Sequence, residues 1–346
     1  MMAIFASISE IIRIMKKLAF LTALLVSCLC SHPCSAQPKL AFHADSTFKV
    51  IQFTDTHIRF VDEQNRKLSG QTYSRISKLI DLEKPDLVVL TGDIVTWNEV
   101  SEAWRRLVDT LNVKGVPFLV CFGNHDDEGS LTHEQIAQIL KTSKYFMNKL
   151  DKSGGLADVR LDVLGNDGKP GFSIYGLDSH SYSRIKGIDG YGWFSFDQVE
   201  WFRKDAAGVT KKNGGTPVPA FMFFHIPLPE YDFTCHRCDP DVVGRRGEQE
   251  CIQAVNTGMF GAIAESGSVI GTSVGHDHDN DYVLVHKGIA LCYGRYSGND
   301  TCYNHVVLGS RVFVFRQGSR DFETWIREES GREVEHVRIA AGKLFK

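Results

Sequence analysis

Three apolar runs, each ending in a small set of acids, amides and imidazoles, constrain this chain more than anything else in it. "FKVIQFTDTH" runs into Asp55 and His57, "PDLVVLTGD" into Asp93, and "VPFLVCFGNHD" into Asn124, His125 and Asp126. Between them lie "YSRISKLIDLEK" and "EVSEAWRRLVDTLN", whose apolar residues recur at helical spacing. Strand, helix, strand, helix, strand at this spacing requires right-handed crossovers, and so a parallel sheet in an α/β protein. Further on, "GFSIYGLDSH", the helix-like "SFDQVEWFRKDAA" and "PAFMFFHIPLPE" continue the alternation. After Ser268 the pattern turns strand-rich, through "SVIGTSVGHDH", "DYVLVHK", "IALCYG" and "RVFVFRQ", which adds mixed or antiparallel strands. No Pro- or Gly-rich linker divides the chain, and 346 residues suffice for one large α/β domain. A single domain is expected over residues 40–346.

Residues 1–36 stand apart. From Met15, "MKKLAFLTALLVSCLCSHPCSAQ" places two lysines before an apolar stretch and then small residues, the layout of a secretory signal. The residues before Met15 read as an over-extended start. Two processing routes stay open: "LVSC" fits a lipoprotein box in which Cys28 carries lipid, and "CSA" ending at Ala36 fits ordinary cleavage. The apolar run falls short of the ~20 residues that a spanning helix needs, so lipid on Cys28 is the one membrane link expected. An exported protein, periplasmic or extracellular, meets an oxidising compartment. Of the six cysteines past residue 36, Cys121 lies in an apolar strand and is expected as a small buried hydrophobe. "CHRC" (Cys235 to Cys238) has no second CxxC to complete a zinc site, which leaves a disulfide involving Cys251 as its expected use. Lys and Arg total 39 against 42 Asp and Glu, a net charge of −3, which gives no signature of a nucleic-acid binder driven by phosphate neutralisation.

Two later runs end as the first three do: "FFHIP" carries His225, and "GHDH" carries His276 and His278. Ligands collect at the carboxyl ends of parallel strands, so five such ends are expected to face one crevice. In "DTH" and "HDH" the paired residues are i and i+2, and at the frayed end of a strand both can turn toward one centre. Taken singly, each has a plainer reading: a strand-end Asp caps a turn, and a His in an apolar run is a satisfied core residue. Together and in this order they read as a metal site. Imidazole and carboxylate donors suit zinc, iron or manganese. Asp55, His57, Asp93, Asn124, His225, His276 and His278 offer more donors than one ion with an open position can use. They suit two ions about 3.5–4 Å apart, with one carboxylate bridging.

The order D-x-H, G-D, G-N-H-[DE], H and G-H-x-H resembles the calcineurin-like metallophosphoesterase superfamily. "YGWFSFDQVEWF", "FFHIPLPEY" and "GHDHDNDY" are similar to the branch that holds plant purple-acid-phosphatase-like proteins and a related fungal phosphatase, and the likeness covers residues 46–328. The resemblance implies a sandwich of two mixed β-sheets flanked by helices, with two divalent or mixed-valence ions at the strand ends. It implies a phosphoric ester hydrolase in which metal-activated hydroxide attacks phosphorus. Asp55, His57, Asp93 and His278 would hold the first ion; Asp93, Asn124, His225 and His276 the second, with Asp93 bridging. His125 would stand beside the substrate phosphate as leaving-group acid or charge stabiliser, with Asp126 orienting it. The purple enzymes carry a tyrosine ligand after the G-D block; "GDIVTW" has Trp97 there, and the first block has His57 where those enzymes have Gly, so no purple chromophore is expected. A phosphomonoesterase is the leading expectation. The alternatives are a phosphodiesterase on a nucleotide, phospholipid or cell-envelope polymer, and a non-catalytic metal-containing binding protein. His180 in "LDSHSY", Arg237 in "CHRC" and Arg295 in "CYGRYSGN" are candidate substrate contacts, against the plainer reading of loop residues and solvated arginines.

Overall fold

The computed structural model describes residues 37–97, 100–233, 241–299 and 302–346. The expected signal segment, with Met15 and Cys28, lies outside the described residues, as do Cys235, Arg237 and Cys238. The elements run β1 (Leu40–Ala41), β2 (Thr47–Phe53), α1 (Glu63–Glu83), β3 (Leu87–Thr91), α2 (Val100–Lys114), β4 (Phe118–Cys121), α3 (His133–Leu140), β5 (Val159–Leu164), β6 (Pro170–Gly176), α4 (Phe196–Lys212), β7 (Ala220–Phe223), β8 (Val242–Val243), α5 (Met259–Ser266), β9 (Val269–Val274), β10 (Val283–His286), β11 (Ile289–Tyr293), β12 (Gly309–Arg316), β13 (Phe322–Glu328), β14 (Glu333–Ala340) and β15 (Lys343–Phe345). Helix starts follow local chemistry. The Asp62 side chain accepts from the Asn65 N–H at the head of α1, and Ser195 with Gln198 forms a reciprocal capping box at the head of α4.

Two mixed sheets result. One has the strand order β15-β14-β13-β12-β2-β3-β4, the other β1-β5-β6-β7-β9-β11-β10-β8. In the first, β2, β3 and β4 are parallel across the crossovers α1 and α2, with Val50 opposite Leu87 and Val88 opposite Phe118. In the second, β6, β7, β9 and β11 are parallel, and β10 returns antiparallel to β11. The parallel strands are apolar on both faces because each sheet is covered on both sides. Between the sheets, Phe48, Val50, Val89 and Leu119 meet Phe221 and Phe223. The Phe221 ring lies 4.9 Å from that of Phe313 and 5.3 Å from that of Phe315, both on β12. Helices α1 to α3 pack Ile76, Trp104 and Ile136 over Ile51 and Val88 of the first sheet, and α4 and α5 pack Phe202 and Ile263 over Met222 of the second. Burying one such side chain stabilises by about 1.5–3 kcal/mol, so the shared inter-sheet layer fixes how the two sets of strand ends line up. From Pro38 to Lys346 the chain is one compact unit.

Gln52 then ties those ends together. Its Nε2 donates to Thr91 Oγ1 at 2.8 Å and to the Val274 carbonyl at 3.0 Å, while Ser273 Oγ donates to its Oε1 at 2.6 Å. A buried amide satisfied on both ends holds β2, β3 and β9 in one register. Cys121 packs in the inter-sheet layer, 2% exposed, with its thiol donating to the Phe223 carbonyl. Cys251, expected in a disulfide, has a free thiol at an exposed position among the described residues, and the "CHRC" cysteines lie outside them. Among the described residues no helix is long and apolar enough to cross a membrane.

Candidate metal centre

The backbone leaves the strands in an unusual way. Asp55, His57, Asp93 and His276 have φ of 52°, 40°, 50° and 78°. Left-handed backbone costs an L-residue roughly 1–2 kcal/mol, and such residues persist only where the surroundings fix them. Here the fixing bonds are explicit. The His57 N–H donates to the Asp93 carbonyl at 2.9 Å, the His125 N–H to Asp93 Oδ1 at 2.9 Å, and the His276 N–H to both Asp55 carboxylate oxygens at 3.1 Å. Side chains at i and i+2 share one face of a strand, so Asp55 with His57 and His276 with His278 stay together as the chain turns toward the centre. Gly123 makes the close approach of β4 possible: a Cβ there would fall on the carboxylate and backbone nitrogen of Asp93. Gly123→Ala is therefore expected to destabilise the fold by about 1–3 kcal/mol and to displace Asp93, read as a lower Tm together with loss of bound metal.

Seven buried side chains meet at these ends. His225 donates through Nδ1 to the Thr91 carbonyl at 2.7 Å, which turns its Nε2 toward Asp93 Oδ2 at 3.3 Å, Asn124 Oδ1 at 3.2 Å and His276 Nδ1 at 3.2 Å. Beside this group, His278 donates through Nδ1 to the Tyr303 carbonyl at 2.6 Å. Its Nε2 then faces His57 Nε2 at 3.0 Å and Asp55 Oδ1 at 3.6 Å, with His57 Nε2 3.8 Å from Asp93 Oδ2. Asp93 thus faces both groups. The ligand atoms of Asp55, His57 and Asp93, and those of Asp93, His225 and His276, lie within 4.8 Å of one another.

Electrostatics sharpen the picture. Burial pushes the Asp55 carboxyl up to about 8 and the His278 imidazole down to about 4, and drives His57 and His276 well below the usual imidazole range. Burial also opposes charge on His225 and Asp93, but each stabilises the other: His225 is raised to about 10, and Asp93 falls well below the usual carboxylate range. The cluster is a set of oxygen and nitrogen lone pairs turned inward. Buried acceptors in this number are balanced by cations. Imidazole, carboxylate and one amide oxygen, with backbone carbonyls holding the far ring nitrogens of His225 and His278, fit zinc, iron or manganese.

The remaining candidates fall into place differently. His125 is 35% exposed at the rim, its ring 5.7 Å from that of His57. Asp126 does not orient it. The Asp126 carboxylate is buried and accepts from the backbone N–H groups of Gly123 and Ile94 at 2.8 Å and of Val95 at 3.2 Å, so it staples the loop after β3 to the loop after β4. Glu128 takes the orienting place, with Oε2 2.7 Å from His125 Nδ1. Glu128→Gln is expected to leave metal content unchanged and to lower kcat by roughly 10-fold, less than the ~10²-fold cost of a 1 Å misplacement; steady-state kinetics beside metal analysis checks this. His180 lies on a cavity wall, its Nε2 2.9 Å from Gln198 Oε1. Arg237 lies outside the described residues. Arg295 is corrected: it is 5% exposed with Nη1 2.7 Å from Asp281 Oδ2, so its charge is neutralised inside the fold. Trp97, where the purple enzymes have tyrosine, is 52% exposed and turns its ring toward Arg59.

Tyr182, which follows a strand in "LDSHSY", reaches the centre as a pocket-lining residue, and three further residues there, Tyr191, Tyr303 and Cys302, were not read as site residues from the sequence. Tyr182 accepts through its hydroxyl from Asn124 Nδ2 at 3.1 Å; Tyr191 stands edge-on to His276 at 4.2 Å; Tyr303 stacks on His278 at 4.4 Å. Cys302 groups with His57 and His278 within 4.8 Å. All four lie in loops without periodicity.

Comparison with known proteins agrees with this geometry. Residues 48–280 match the family described as calcineurin-like phosphoesterase. The protein named "Probable inactive purple acid phosphatase 29" of Arabidopsis thaliana is 28% identical over 310 residues, which cover 80% of this chain and 79% of the relative. Phosphatase DCR2 of Saccharomyces cerevisiae is 28% identical over 317 residues, covering 82% of this chain and 54% of the relative. A solved dimetal phosphatase from Danio rerio shares the fold, with a TM-score of 0.59 at 14% identity over 85% of this chain and 99% of that one. The family match begins just before Asp55 and ends just after His278, so every strand end that feeds the cluster lies within it. This chain belongs to the calcineurin-like phosphoesterase family.

Proposed function

We propose that the protein is a metal-dependent phosphoric ester hydrolase, and foremost a phosphomonoesterase. The observation that carries this reading is the placing of Asp93 between two complete groups of buried donors, 3.3 Å from His225 and 3.8 Å from His57. Asp55, His57, Asp93 and His278 would hold one ion, and Asp93, Asn124, His225 and His276 the other. When bound, such a pair supplies Lewis acidity and a nucleophile derived from water at neutral pH. The chain's own residues do the rest. Glu128 fixes Nδ1 of His125, which leaves Nε2 as the atom from which a proton can pass to a departing oxygen. Buried walls around the cluster keep its electrostatic interactions strong. No donor of the set is lacking, which favours turnover over a purely binding role. The name of the yeast relative, a phosphatase, favours monoesters; the plant relative is named "Probable inactive", so the case for turnover rests on the complete donor set.

The test is hydrolysis of p-nitrophenyl phosphate and of bis-p-nitrophenyl phosphate by the purified protein, before and after chelation and with manganese, zinc or iron restored. Expected is a higher kcat/KM on the monoester, lost with the metal and regained with it. Preference for the diester would move the reading to a phosphodiesterase, and bound metal without turnover of either ester would overturn catalysis. The signal layout over residues 1–36 supports an exported location, which fractionation of the producing cell checks.

A further inference from the structure

A cavity of about 370 Å³ opens beside the metal centre, near the lower end of the ~300–1,000 Å³ range of small-molecule sites. Tyr182 joins the two: it lines the cavity, and its hydroxyl takes the hydrogen bond from Asn124. The Tyr182 ring stacks on Tyr191 at 5.6 Å and 26°, and Tyr191 stands edge-on to His276. An aromatic run therefore leads from a candidate metal ligand to the cavity. Trp193 and Ile185 extend the apolar wall, and Tyr182 and Ile185 remain 46% and 54% exposed. Large apolar groups left open around a concave site beside a reaction centre are what a ring-shaped ligand covers.

The wall is preformed. His180 Nε2 meets Gln198 Oε1, and Gln198 Nε2 donates to the Asp178 carbonyl at 2.8 Å, so the start of the loop is pinned to α4. A strand-like bridge between Tyr182 and Tyr191 fixes its other side. Charge decides what kind of ring fits. Asp127 and Asp178 stand on the wall against one permanent cation, Arg184, beside the imidazoles of His133 and His180. The balance is acidic and disfavours a second anionic group on the ligand.

We propose that this cavity is the leaving-group subsite of the hydrolase, and that it selects phosphate esters whose alcohol carries an uncharged, flat ring. The proposal rests on the phosphoesterase reading and names its substrate class. The balance is that of hydrolysis: the bond between phosphorus and the alcohol oxygen breaks, water oxygen forms the new bond to phosphorus, and a proton ends on the ring-bearing alcohol. Products are that alcohol and inorganic phosphate.

The experiment compares benzyl phosphate with ethyl phosphate, esters of alcohols of similar acidity, using the metal-loaded protein. Expected is a kcat/KM about tenfold or more higher for benzyl phosphate, with 4-carboxybenzyl phosphate falling back toward the ethyl ester. The benzyl-to-ethyl ratio should fall toward one in Trp193→Ala. Ile185→Asp, a change at an exposed position, gives the same reading should the tryptophan variant fail to fold. Equal kcat/KM on benzyl and ethyl phosphate in the unmodified protein would overturn the subsite, as would a ratio that neither variant moves. Absence of turnover on any ester, p-nitrophenyl phosphate included, would remove the phosphoesterase reading and the subsite with it.

Discussion

Asp93→Ala is expected to lower metal content from about two ions per chain to fewer than one and to cost turnover at least the ~10²–10³-fold of a single lost electrostatic stabiliser. The reason lies in what one carboxylate does. Oδ2 faces His225 and His57 from the two sides, and Oδ1 accepts the His125 N–H that shapes the loop after β4. Removing it leaves the buried His225 imidazole without its counter-charge and both donor groups short of one ligand. Elemental analysis of the folded variant, with far-ultraviolet circular dichroism as the control for folding, reads the effect. Retention of two ions by Asp93→Ala would show that the carboxylate is not shared.

His125→Ala should behave in the opposite way, keeping both ions while kcat on an alkyl phosphate falls by about 10²–10⁴, the range for a lost proton donor. The loss on p-nitrophenyl phosphate should be smaller, because its leaving group needs little protonation. This contrast separates leaving-group assistance from plain charge stabilisation, which would lower both substrates alike. It also separates His125 from the buried histidines: His57, His225, His276 and His278 are at most 8% exposed, whereas His125 stands at the rim against Glu128. Full activity of His125→Ala on the alkyl ester would remove it from the reaction.

The parallel block β2–α1–β3–α2–β4 was legible because strands buried on both faces read as continuous apolar runs and the helices between them are amphipathic. The seven donors were legible for the same reason, since each follows the end of such a run. The first turns of α1 were not, because Glu63 to Leu68 present mostly polar side chains and the buried face begins at Ser69. The exchange of partners in "GNHDDE" was also hidden. Asp126 is adjacent to His125 in sequence, but three backbone N–H groups converge on its carboxylate, and Glu128 is left to reach the imidazole. Arg295 was misread because its partner, Asp281, comes from a turn before β10 that pairing by sequence distance does not reveal. The cavity is built from loops around residues 178–185 and 191–195, where side-chain direction follows hydrogen bonds and not a repeat.

The central claim is that two groups of buried donors share Asp93 and hold a metal pair on which turnover depends. Metal stoichiometry and p-nitrophenyl phosphate hydrolysis, measured on one purified sample before and after chelation, test it most directly. Expected are about two ions per chain, loss of ions and turnover together, and their joint return when metal is added back. A folded chain that binds no metal, or one that hydrolyses the ester at full rate once its metal is stripped, would contradict it.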